Sequence, residues 1–428
     1  MIRQLLNSKL IKSIGVYTVS NIINAAIPFL LLPILTRYLT PGEFGLTATY
    51  TALVGFFAPL TGLFTQSALT RRFYDADKVD FNKYVTSCLF ILLVSVLIIS
   101  AILIPLGPYV AGLTEFPHSW LWAVIVTASC QYLVAVILGF WQAERKVYQY
   151  AAFQNTQALL NLLTSLLLVI ALQMAWRGRI LAHTLSIALF ALLALYYLKK
   201  KGLLGKTVDK KYLADALKFS LPLIPYGFTG WVIMTMDRIF INNMVGIDQT
   251  GLYASAAQIC MVIMLLQQSF NTGWVPWFYE KIKNNDALLN LKIVKFSYTF
   301  IAGNFLLAFL LGFAGPLFLQ FFLGKTYAGA SDFLLWLALG QAANAIHLIA
   351  VSFLNFHYKT IYLTYAALIT TLIHIPLTYF LIKANGAVGA AQSFFFSNTL
   401  TSLFTFFLAT RFHKMPWLLR GQKIAENS

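Results

Sequence analysis

Twelve apolar stretches alternate with short polar connections along the chain: Ile14–Thr36, Gly45–Ser67, Val85–Pro108, Trp120–Gln142, Ala151–Ala171, Ile180–Leu198, Phe219–Phe240, Gly251–Phe270, Phe296–Phe318, Ala330–Leu354, Ile361–Leu381 and Gly386–Thr410. A helix covers ~30 Å of hydrocarbon in roughly 20 residues, and most of the stretches are near that length. They are too long and too evenly apolar for barrel strands, so the backbone must satisfy its own polar groups as helices. The pattern predicts an all-α polytopic membrane protein with twelve transmembrane helices.

The cations between the stretches give the expected orientation. With the N-terminus inside, 25 of the 31 Lys and Arg residues fall on the cytoplasmic side, while Arg37, Arg177, Arg179, Arg238, Lys325 and Lys383 fall on the other. That asymmetry predicts a multi-pass protein of the bacterial inner membrane with both termini cytoplasmic. The net charge of +17 lies in those loops and is interrupted by apolar spans, so no continuous basic face is offered to nucleic acid. Only 11% of residues are charged and the mean hydropathy is +0.74, which makes lipid the expected solvent. Cys88, Cys130 and Cys260 sit in apolar stretches with no disulfide, zinc or catalytic spacing. The first stretch is too long and too polar for a signal peptide and reads as a retained helix.

The longest cytoplasmic connection divides the chain into six-span units at 1–198 and 219–428, with a linker at 199–218. Features recur in one order across that divide. Pro28 and Pro33 mark the first span, Pro222 and Pro225 the seventh. These spans end in Arg37 and Arg238, and Gly45-Leu46 and Gly251-Leu252 open the next ones. Phe73-Tyr74 and Phe278-Tyr279 follow, 28 and 27 residues after the glycines. Six spans per unit give both the same orientation, so the expected repeat is MATE-like, with a pseudo-two-fold axis along the membrane normal and a cleft between bundles. The four prolines are hinge candidates, because proline removes a helix hydrogen bond.

Polar residues inside the spans recur at helical spacing: Asn21 and Asn24; Gln154, Gln157 and Asn161; Gln267, Gln268 and Asn271; Gln341, Asn344 and His347. Two readings stay open. The amides line a hydrophilic cleft for sugar hydroxyls, or they tie helices together at ~0.6 kcal/mol per contact. Arg37, Asp237 and Arg238 lie near span ends. They either anchor at the interface or turn inward, where a guanidinium suits a diphosphate and Asp237 holds an arginine ready. No span carries a carboxylate in its middle, and His183, His347 and His374 each read as isolated. No metal-ligand set, phosphate loop or nucleophile–base pair stands out, so an enzyme is not expected.

The stretch from Leu32 to Gly45, Leu-Pro-Ile-Leu-Thr-Arg-Tyr-Leu-Thr-Pro-Gly-Glu-Phe-Gly, resembles the end of the first helix in the Wzx-type polysaccharide flippases. Leu217 to Pro225, then Asp237-Arg238 and Gly251-Leu252-Tyr253-Ala254, are similar to the opening of that family's second half. The resemblance implies a flippase that moves an undecaprenyl-diphosphate-linked oligosaccharide, such as an O-antigen unit, from the inner to the outer leaflet by alternating access. It implies as partners the lipid bilayer, a polysaccharide polymerase and a chain-length regulator. It implies no cofactor, and leaves Na+, H+ or the glycan gradient as the driving force. Arg37, Asp237 and Arg238 fall on the matching motif positions. The alternative within the same MOP superfamily is an ion-coupled exporter of small amphipathic cations. That branch typically has acids in its first helix, where this chain has Asn21 and Asn24. A glycan polymerase would need a large outward loop, and the longest expected here is Tyr109–Ser119.

Overall fold

A computed structural model describes residues 9–73, 79–282, 287–357, 359 and 361–417, without side-chain detail at a few helical positions that include Asn21. The described residues are helical and contain no strand. The helices are α1 (Lys9–Tyr38), α2 (Pro41–Phe57), α3 (Thr65–Phe73), α4 (Phe81–Thr114), α5 (Leu121–Ala143), α6 (Val147–Leu166), α7 (Ala175–Lys200) and α8 (Lys210–Ser220). Then come α9 (Leu223–Trp231), α10 (Asp237–Met244), α11 (Ile247–Ile282), α12 (Ala287–Leu323), α13 (Ser331–Phe356), α14 (Ile361–Asn385) and α15 (Val388–Phe412). Among the described residues, eight helices are long and apolar enough to cross a membrane, and the bent pair α2–α3 makes a ninth. The first, seventh and twelfth expected spans fall on α1, on α9–α10 and on α15.

Several helices outrun their apolar cores. The third expected span runs on past Pro105 and Pro108 to Thr114, which shortens the outward loop, and the eighth continues from Ile247 to Ile282 without a break. Two spans are broken instead. The second bends by 41° between Phe57 and Gly62. Gly62, Leu63 and Phe64 all take positive φ there (74°, 52° and 58°), a conformation that costs non-glycine residues energy. The exposed backbone is satisfied locally. Gly62 N–H donates to Ser95 Oγ at 2.8 Å, and the Thr65 hydroxyl lies 2.7 Å from the Gly62 carbonyl and 2.6 Å from Tyr132 Oη. The seventh span is interrupted by a turn at Leu221–Pro222 and by a π-helical turn over Val232–Met236. The matched prolines therefore act differently: α1 runs unbroken through Pro28 and Pro33, whereas Pro222 lies in a break and Pro225 in the first turn of α9.

Contacts divide the chain into two compact units. The first holds residues 1–231 and 246–251, the second residues 232–245 and 252–428. In the first unit, Leu69, Tyr84, Val85, Ile137 and Phe140 form one core, and Tyr50, Phe116, Val124 and Ile180 another. The segment after α7 docks on this unit. Gly205 N–H donates to Thr86 Oγ1 at 2.7 Å, and Arg72 grips Asp215 of α8 through two hydrogen bonds at 2.5 and 3.0 Å. In the second unit, Trp274, Phe278, Ile293, Ile349 and Phe353 form the core. Large apolar side chains also point outward, Leu317 at 84% and Phe321 at 80% exposure, as a lipid-facing surface requires.

The recurrent glycines acquire a reason inside the first unit. Thr40 caps α2, with Glu43 closing the capping box and Pro41 in the first turn. The N-termini of α2 and α11 then meet at Gly45 and Gly251. A Cβ on Gly251 would lie 1.8 Å from the Pro41 carbonyl oxygen, and one on Gly45 would lie 2.2 Å from that of Ile247.

Candidate functional site

Each unit encloses a polar cluster of its own. In the first unit, α6 and α7 supply Asn161, Ser165 and Arg179. The Arg179 guanidinium donates to Asn161 Oδ1 at 2.9 Å and to Ser165 Oγ at 3.1 Å. No carboxylate pairs with it among the described residues. One turn along α7, His183 meets the edge of Tyr50, with ring centroids 5.9 Å apart. The Tyr50 hydroxyl lies 2.6 Å from Thr127 Oγ1 and 3.1 Å from Thr184 Oγ1. The stripe Gln154, Gln157 and Asn161 runs along one side of α6 toward this guanidinium. Gln154 Oε1 is buried without a hydrogen-bond partner among the described residues. Beside it, α1 and α6 are tied by Asn24 and Ser20, which donate to Asn155 Oδ1 at 2.5 and 3.1 Å. Asn21 lies outside the described side chains.

The second unit holds a carboxylate. Asp237, the first residue of α10, is 1% exposed. It accepts from the Tyr253 hydroxyl of α11 at 2.8 Å and from the Thr378 hydroxyl of α14 at 3.2 Å. His374 Nε2 lies 3.2 Å from its Oδ1. His374 Nδ1 in turn faces Ser397 Oγ at 2.9 Å and Ser393 Oγ at 3.3 Å, both on α15. Of the two readings left open for Asp237, burial inside the unit is the one observed, and the expectation of an isolated His374 is corrected. His347 is not isolated either, since its Nδ1 meets Thr405 Oγ1 at 3.0 Å. Hydropathy windows hid the pair, because its members stand 137 residues apart and each lies in an apolar surrounding.

A second group of amides in this unit is centred on Gln267. Gln267, 1% exposed, donates to Asn304 Oδ1 at 3.0 Å and to the Gln341 carbonyl at 2.7 Å. Its own Oε1 accepts from Asn344 Nδ2 at 3.0 Å. For Asn344, and for the backbone of Gln341, the interhelical role is therefore the observed one. Arg37 is exposed at the C-terminal end of α1, where a cation complements the helix dipole. Arg238 is half-buried within electrostatic range of Asp237 and Tyr253.

Residues 10–281 match the family described as "Polysaccharide biosynthesis protein". The chain belongs to that family. A protein of the Lsg locus of Haemophilus influenzae is 26% identical over 378 residues, which cover 86% of this chain and 90% of the relative. The fold is similar to that of the lipid II flippase MurJ in an inward closed conformation, with a TM-score of 0.73 at 15% identity over 94% of this chain and 87% of that one. It is also similar to an inward-facing multidrug resistance MATE family transporter of the MOP superfamily, with a TM-score of 0.68 at 15% identity over 91% and 97% of the two chains. This polysaccharide biosynthesis protein thus has the MATE-like helical fold expected from its sequence.

Arg179 went unmarked as a site residue in the sequence because it stands one residue before the sixth apolar stretch and reads there as an edge cation. One signal was present: Arg179 and His183 are four apart, so a helix begun at Ala175 puts them on one face.

Proposed function

We propose that this protein is a flippase for an undecaprenyl-diphosphate-linked oligosaccharide, carrying it from the cytoplasmic to the outer leaflet of the inner membrane. The observation that carries the reading is Arg179, a guanidinium held inside the first unit by neutral acceptors alone. A cation within a membrane-spanning bundle is costly to place and is retained for use. Its planar donors can grip two oxygens of a diphosphate at once, and an acid partner would have competed for them. The α6 stripe beside it offers amide groups of the kind that bind sugar hydroxyls. Gln154 has an unsatisfied buried oxygen, and Gln157 is half-buried with no hydrogen bond to the described residues. Family membership and the MurJ-like fold support the same reading.

A glycan headgroup cannot cross hydrocarbon unaided. In this account the prenyl tail stays in lipid while the cationic, amide-lined interior shelters the diphosphate and first sugars. Rocking of the two units about the broken seventh span alternates access. The polymerase and chain-length regulator act on the product after release. The test is expression in cells that lack their own flippase, with glycan measured at the outer leaflet. Restored surface glycan is expected. Resistance to cationic drugs without any glycan phenotype would overturn the reading in favour of an exporter.

A further inference from the structure

The Asp237–His374 network has no part in cargo binding as described above, yet it joins four helices of the second unit. We propose that it is a proton-binding site that takes up and releases one proton per chain. The argument begins with hydrogen-bond accounting. In the form with fewer protons, Asp237 is a carboxylate and accepts from Tyr253 Oη at 2.8 Å and Thr378 Oγ1 at 3.2 Å, and His374 Nε2 lies 3.2 Å from its Oδ1. His374 Nδ1 is then an acceptor, and the Ser397 hydroxyl, 2.9 Å away, donates to it. Thr378, having given its one hydrogen to Asp237, accepts from Ser393 at 2.7 Å.

Adding one proton keeps the same pairs in contact. Nδ1 becomes N–H and donates to Ser397 Oγ at the same 2.9 Å, the serine hydroxyl changing from donor to acceptor toward the imidazole. The His374–Ser397 distance suits a hydrogen bond in either direction, so this contact serves both forms. The charge also closes in both forms. The pair carries −1 before uptake and 0 after it, and Arg238, next in sequence and in electrostatic range of Asp237, lies beside it. The other titratable neighbours are Tyr253, which Asp237 already engages, and Cys260 near Tyr253. The α15 face contributes only the hydroxyls of Ser393 and Ser397, and from α13 Phe333 lies edge-on against Tyr253 at 5.7 Å.

A sodium ion fits the same atoms poorly. Alkali cations take several oxygen ligands, and here an imidazole nitrogen occupies one side of the carboxylate. The position of the site bears on movement. Asp237 directly follows the π-helical turn Val232–Met236, where the chain passes from one compact unit to the other. The site ties α10 to α11, α14 and α15 at that passage, so its proton count is placed to bias which arrangement of the broken span is populated. The inference rests on the flippase reading only for the link to transport.

The test is a proton titration of the purified full-length protein in liposomes, followed by pH-difference infrared spectroscopy, with no glycolipid present. Over the pH range in which the protein stays folded, wild type is expected to take up one proton more than Asp237→Asn or His374→Gln, with the carboxylate or imidazole bands responding. Ser397→Ala removes only the Nδ1 partner and is expected to keep the uptake but move its midpoint. Identical titrations for wild type and either folded pair variant would overturn the proposal and leave a static tie between helices. If neither pair variant folds, an unmoved midpoint in Ser397→Ala overturns it. A second arm imposes a pH gradient on glycan-translocating cells. Wild-type transfer should respond and His374→Gln should not. Loss of all wild-type transfer would defeat the flippase reading while leaving the titration result intact.

Discussion

The first unit places a cation among neutral acceptors, and the second places an acid among donors. Arg179 rests on one amide oxygen and one hydroxyl, and the stripe beside it ends in a buried oxygen with no partner. Asp237 has a tyrosine, a threonine and a histidine around it, and the Gln267 amides of the same unit satisfy one another. A satisfied buried network rigidifies a bundle, whereas one left short of partners holds a place for something else. Under the proposed function, the first unit would meet the anionic headgroup, and the second would carry the single adjustable charge.

The sharpest way to break this contrast is Asp237→Ala. It leaves Tyr253, Thr378 and His374 facing a hole, and a broken buried charge network costs about 3–5 kcal/mol. Thermal unfolding in detergent should show it as a large fall in midpoint. An unchanged midpoint would show that the second unit does not depend on its acid. Gln267→Ala should come next, at about 1–3 kcal/mol, since it strands Asn304, Asn344 and the Gln341 carbonyl. A loss as small as that of an exposed glutamine would contradict its role as a hub.

Smaller effects sharpen the picture. The Arg72 guanidinium holds the half-exposed Asp215 carboxyl below the usual carboxylate range. A depressed folded value means the contribution is complete above the unfolded value of about 3.9 and fades as pH falls through the folded one. Arg72→Ala should therefore lower stability at neutral pH by less than about 1 kcal/mol, and the difference should vanish in acid. A difference that grows in acid would refute the pairing. Gln154→Leu should be near neutral or stabilising, because it removes an orphaned acceptor. A clear destabilisation would show that the α6 stripe is structural after all.

Much of the architecture was legible in the residues. Apolar runs fix the helices because lipid tolerates no unpaired backbone, and the recurrent glycines were visible before their contact was known. The breaks were less legible. Pro222 announces one, but Gly62-Leu63-Phe64 lies within a stretch apolar enough to pass for continuous helix, and only Ser95, Thr65 and Tyr132 make the bend tolerable. The sites were harder still. Spacing along one helix found Gln154, Gln157 and Asn344, but not what each would face. The Asp237–His374 pair joins α10 to α14, and that pairing is a property of packing between helices. Arg37 and Arg179 look alike as edge cations in sequence. Only the path of α7 beside α6 turns Arg179 inward, while Arg37 stays exposed.

The central claim is that an unpaired guanidinium in the first unit receives the diphosphate of a lipid-linked glycan. The direct measurement is outer-leaflet glycan in flippase-deficient cells that express Arg179→Ala at wild-type protein level. Removing a half-buried cation bonded to neutral acceptors should leave the folded protein intact. Transfer should fall at least about tenfold, the loss of one charge-assisted contact worth roughly 1.4 kcal/mol or more, and Arg179→Lys should restore part of it. Full glycan display by Arg179→Ala would contradict the account.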